Sequence, residues 1–170
     1  MQDYILEVCV DSVESALEAK RGGATRLELC ANLVIGGTTP GYTLFEQVKK
    51  ETGLPVRVLI RPRFGDFLYT HYEYQQMLAD IHHFSQAGAD GVVIGSLNTD
   101  GTLNEAQIGG MVKAAGNIGI TLHRAFDVCA DPIAALEKAA GMGVDTILTS
   151  GQEADCLLGS KLIRHLIQVS

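Results

Sequence analysis

The sequence lacks any cluster of lysine and arginine, any long apolar run and any close pair of cysteines. Lys and Arg number 13 against 20 Asp and Glu, a net charge of −7, whereas a phosphate-backbone partner requires a basic face. Nucleic acid is therefore not an expected partner. No uninterrupted apolar stretch approaches the ~20 residues of a membrane span, and Met1 to Val10 carries no basic segment leading into an apolar one. These two absences predict a cytoplasmic chain that does not engage a membrane. The four cysteines, Cys9, Cys30, Cys129 and Cys156, are far apart with no C-x-x-C pair, so they read as thiols and not as a disulfide frame. G-x-S-x-G, H-E-x-x-H and the P-loop pattern are all missing, which argues against two common hydrolase classes and against nucleotide binding.

What is present is a composition of 46% hydrophobic and 19% charged residues, enough to build a real core. One short pattern recurs three times: Gly23-Ala24-Thr25-Arg26-Leu27, Gly88-Ala89-Asp90-Gly91-Val92 and Gly143-Val144-Asp145-Thr146-Ile147. In each a glycine closes a helical stretch and a polar step leads into an apolar run, the signature of a helix-to-strand turn. Filling in the remainder predicts strands near 5–10, 26–31, 56–61, 91–96, 119–126 and 146–150. Helices are expected near 13–22, 42–52, 72–87, 105–115, 132–141 and 156–168, with Ser12 capping the first and Asp131-Pro132 opening the fifth.

Strict alternation of strand and helix implies a parallel sheet with right-handed crossovers. Several strands place polar residues at every second position, which favours a TIM-type (β/α)8 barrel over an open sheet covered on both faces. A complete barrel takes ~250 residues. Six units fit within residues 1–170, read as a single partial TIM-barrel domain. Either the barrel is shortened or its sheet stays open, with strands 1 and 6 as edges to be covered, as by a second subunit in a homo-oligomer.

Alternation sets Leu6, Val8 and Val10 on one face of strand 1 and Glu7, Cys9 and Asp11 on the other; strand 2 opposes Leu27 and Leu29 to Glu28 and Cys30. Leu-Glu-x-Cys thus occurs twice. Arg57, Leu59, Arg61 and Arg63 line up in strand 3, and Thr121, His123, Ala125 and Asp127 in strand 5. These faces should converge on the barrel interior, with Asp11, Asn32, Arg63 and Asp127 nearest the C-terminal rim. Glu7, Asp11, Glu28 and Asp127 then stand against Arg61 and Arg63, so the inward carboxylates exceed the inward cations, and something must offset them.

The segments Leu6–Ser12, Arg26–Ala31, Gly36–Pro40, Ile60–Phe67, His123–Asp127 and Leu148–Gln152 together resemble the CutC family. The resemblance runs over essentially the whole chain and implies a TIM barrel associated with copper homeostasis in the cytoplasm. It also implies several further strands and helices that this sequence does not contain. For copper, it carries a thiol pair onto Cys9 and Cys30, a sensible choice because Cu(I) prefers soft thiolates. The alternative for these two residues is that they are small buried hydrophobes.

Two functions follow. One is a copper-binding, copper-homeostasis protein holding Cu(I) on Cys9 and Cys30. The other is a TIM-barrel enzyme acting on a small anionic molecule, with Glu7, Glu28, His123 and Asp127 as acid-base candidates and Arg61 and Arg63 as an anion clamp. Against the second stands a purely structural interior in which the glutamates pair with Arg61 and Arg63.

Overall fold

A computed structural model describes residues 4–170; Met1 to Asp3, the start of the segment read above as lacking a leader, lie outside the described residues. Six parallel strands run in chain order: β1 (Glu7–Val10), β2 (Arg26–Leu29), β3 (Val56–Leu59), β4 (Gly91–Ile94), β5 (Gly119–Leu122) and β6 (Thr146–Ile147). Each is followed by a helix: α1 (Val13–Arg21), α2 (Tyr42–Thr52), α3 (His71–Gln86), α4 (Glu105–Ala115), α5 (Pro132–Gly141) and α6 (Ser160–Val169). Among the described residues no helix is long and apolar enough to cross a membrane.

The turn pattern performs as its chemistry requires. Gly23, Gly88 and Gly143 adopt φ of +93°, +85° and +89°, a region costly for residues with a Cβ. Ser12 caps α1 in a reciprocal capping box with Ser15, and the Asp131 carboxylate accepts from the Ile133 and Ala134 amides beside Pro132.

Alternation in the strands decides the layers. Val10, Leu27, Leu29, Val56, Val58 and Val92 pack outward against buried helix residues such as Phe45, Met77 and Ile108 in one continuous core. The other face carries a separate small cluster of Cys30, Leu59 and Val93 with Leu33 against it. That second face is concave. Arg57 on β3 bonds Thr121 on β5 and reaches Asp145 and Thr146 beside β6, with Nη2 to Asp145 Oδ1 at 2.8 Å. Three flat strand spacings would amount to ~14 Å, beyond the reach of an arginine, so the sheet curls into a half-barrel around a lumen.

Strands β2 to β6 each end two to four residues sooner than expected, and two of these ends shape the site. β5 stops at Leu122, and His123 opens a 3-10 helix over Arg124–Val128. β3 stops at Leu59, followed by Arg61-Pro62-Arg63, where proline has no N–H to extend a ladder. α6 begins at Ser160 rather than near 156, after a turn in which Asp155 accepts from the Leu157 and Leu158 amides.

Candidate functional site

The lumen has two ends with different contents. At the N-terminal ends of the strands, Glu7 on β1 is ion-paired with Arg26, its register partner on β2. Arg57 is held by Asp145, Thr121 and Thr146. Gly91 and Gly119 make room for Arg57, since a Cβ at Gly119 would sit 2.6 Å from its Nη2. Arg26 offsets Glu7, one of the carboxylates counted from the sequence, whereas Arg57 is matched by Asp145, which lay outside that count. Glu7 and Glu28 do not pair with Arg61 or Arg63.

At the C-terminal ends lies a pocket of about 180 Å³ lined by Cys9, Glu28, Cys30, Arg61, Phe67 and His123, among others. Cys9 stands beside Glu28 in the parallel register, and Cys30 follows two residues on along the same face. The three side chains sit together on one face: the Cys30 thiol lies 3.6 Å from Glu28 Oε1, and Cys9 is near enough to both to shift their titration. Cys9 is exposed and Cys30 buried. Burial, seconded by the charge of Glu7, pushes Glu28 up to about 7 despite the two thiol hydrogen bonds and Arg26. The Cys30 thiol is pushed up by its bond with Cys9, by burial and by the charge of Glu28.

Arg61 is anchored by backbone. Its Nη1 donates to the carbonyls of Gly36 and Gly37 at 3.1 Å each and its Nη2 to that of Gly65 at 2.8 Å, while its guanidinium lies over Phe67, 5.0 Å from the ring centroid. His123 packs on Phe67 as well, with ring centroids 4.8 Å apart. Its Nδ1 accepts the Ala125 amide at 3.1 Å, and a Cβ on Gly95 would come within 2.6 Å of that nitrogen, so Gly95 is the space that His123 occupies. Burial and the neighbouring Arg61 charge hold His123 down at about 3, an imidazole and not an imidazolium.

Two expected members are elsewhere. Arg63 is turned away: Nε meets Glu73 at 2.6 Å, and its remaining donors meet Asp66 and the carbonyls of Phe64, Asp66 and Leu68. Its donors are committed to the loop before α3 and not to the pocket. Asp127 is displaced by the 3-10 turn and accepts from Arg124, Thr149 and the Ser150 and Gln152 amides. Burial would raise it, but these bonds prevail and hold it at about 2, a carboxylate that ties the 3-10 turn to the segment after β6. Glu7 faces the lumen but at the opposite end from His123, bound to Arg26. Asp11 is exposed at the end of β1. Sequence reasoning missed Phe67 and Gly95, whose only signals were an aromatic within the Ile60–Phe67 segment and a glycine ending an apolar strand.

A model of the CutC family matches residues 4–170. The chain belongs to the CutC family. It is 46% identical over 165 residues to a CutC family protein of Parabacteroides distasonis, covering 96% of this chain and 68% of the relative. It is 47% identical over 164 residues to the copper homeostasis protein cutC homolog of Mus musculus, covering 96% and 60%. The chain spans 60% to 68% of the length of these curated relatives. A crystal structure from Streptococcus agalactiae, described as a CutC copper homeostasis protein, superposes with a TM-score of 0.91 at 29% identity over 98% of this chain and 83% of that one. An archaeal fructose 1,6-bisphosphate aldolase superposes with a TM-score of 0.60 at 20% identity, covering 93% and 61%, a likeness of fold alone. The CutC half-barrel thus keeps its polar pocket at the strand ends where TIM barrels place their active sites.

Proposed function

We propose that this CutC chain serves copper homeostasis in the cytoplasm by holding Cu(I) between Cys9 and Cys30. The observation that carries this reading is the nearness of the two thiols on the neighbouring strands β1 and β2, one open to solvent and one buried. A soft monovalent ion of low coordination number suits such a pair. The exposed Cys9 supplies the point of entry and exit for the ion, and Cys30 the buried anchor. Binding displaces the two thiol protons, and the single positive charge of the ion offsets one of the two thiolate charges that burial otherwise opposes. The mouse and human relatives are named as copper homeostasis proteins, which supports the same reading.

The test is an anaerobic Cu(I) titration against a competing chelator. The intact chain is expected to take one ion per chain from the chelator, and the Cys9→Ser, Cys30→Ser and double variants to lose it. Equal binding by the intact chain and the double variant rejects the thiol site.

A further inference from the structure

Three polar atoms in the pocket have no hydrogen-bond partner among the described residues: Glu28 Oε2, Arg61 Nε and His123 Nε2. Their residues are 5%, 8% and 5% exposed. A buried polar group without a partner costs stability, and native proteins leave few of them. Three around one cavity of about 180 Å³ indicate a site built for something it binds.

The chemistry of each atom is fixed by its surroundings. Arg61 is a buried cation that donates to three backbone carbonyls, stands beside the buried Tyr69 hydroxyl and forms no ion pair among the described residues. Its Nε–H has no partner, and its charge awaits an anion. Because His123 Nδ1 accepts the Ala125 amide, Nε2 carries the ring hydrogen and is a neutral donor. Arg61 and His123 lie against the same Phe67 ring, so their donors are held in place together. Glu28 presents an oxygen from β2, and Leu33 and Leu59 supply apolar wall.

We propose that this pocket binds a small hydroxycarboxylate, its carboxylate taken by Arg61 and His123 and its hydroxyl by Glu28. One negative charge balances the one unpaired guanidinium. A phosphate dianion would bring a second charge beside a carboxyl group with only these donors to receive it. A hydroxyl suits Glu28 because it can both donate and accept. The cavity has room for about six waters and is smaller than the ~300 Å³ at which pockets for drug-sized ligands begin, so the ligand has few carbons. The site adjoins the thiols through Glu28, which Cys30 bonds, but its donors Arg61 and His123 bond neither thiol, so the thiol-to-serine double variant, which keeps those donors, tells a failed copper site from a failed anion site.

The experiment is calorimetric titration of the whole chain with glycolate, lactate, acetate, glycolamide and inorganic phosphate, without copper. Glycolate or lactate is expected to bind best, acetate more weakly for want of the hydroxyl, and glycolamide and phosphate not measurably. His123→Leu should weaken glycolate about tenfold or more by removing one hydrogen bond to a charged group. Leu148→Trp, at the half-exposed mouth of the pocket, should block entry while leaving the donors and the far-ultraviolet circular dichroism unchanged. Absence of binding at 10 mM glycolate and lactate, preference for phosphate, or glycolate binding unaltered in both folded variants would overturn the assignment.

Discussion

At the N-terminal ends of the strands, Arg57 and Arg26 each meet a carboxylate; at the C-terminal ends, a comparable guanidinium, Arg61, meets only carbonyls and lies beside an imidazole and a carboxyl group with unfilled atoms. The contrast separates two uses of inward charge in one half-barrel. Paired groups close one end of the lumen and hold strands together across it, since Arg57 ties β3 to β5 and β6. Unpaired groups at the other end raise the free energy of the empty protein, a cost that a ligand can reverse.

The largest expected effect comes from breaking the paired end. Arg57→Met removes three hydrogen bonds, to Thr121, Thr146 and the half-exposed Asp145, and should lower unfolding free energy by about 3 kcal/mol in urea denaturation. Arg61→Met should cost less than about 1 kcal/mol, because it also removes a buried charge without a counter-ion. Equal losses would dissolve the distinction between the two ends.

Next in size is an acid-side pH dependence from His123. Its folded pKa, about 3, lies below the ordinary 6.5, so the unfolded chain binds the proton more tightly. The stability is fully present above pH 6.5 and declines as pH falls toward the folded value, by up to about 3 kcal/mol at pH 4. Thermal unfolding of His123→Gln should lack this component of the decline. A variant with the same pH profile as the parent would show that His123 is not held neutral.

A smaller effect sharpens the comparison at one atom. Gly95→Ala places a Cβ against the His123 ring and should cost about 1–3 kcal/mol through overpacking, together with a changed His123 resonance in the NMR spectrum. The smallest, remote from both ends, is Asp131→Ala, which removes the α5 cap and should cost about 1 kcal/mol without altering Cu(I) or glycolate titrations.

Much of the molecule was legible in the residues. The three glycine turns, the caps at Ser12 and Asp131, and the opposed faces of β1 and β2 follow from local backbone chemistry and a period of two, and the structure has them. The site was legible only as far as the strands run straight. Cys9, Glu28, Cys30, Arg61 and His123 face the pocket as alternation requires, while Arg63 and Asp127 depart because Pro62 and the 3-10 turn at Arg124–Val128 rotate the chain out of register.

The sequence by itself determined the alternation of strands and helices, which faces are apolar, and where helices start and stop, because these depend on neighbours within a few residues. The curl of the sheet, the choice of Asp145 as partner for a residue 88 positions earlier, and the isolation of Arg61 and His123 from any counter-charge were decided only by tertiary structure. Those outcomes depend on which strand ends meet across the lumen, and distance in space is not written in the spacing along the chain.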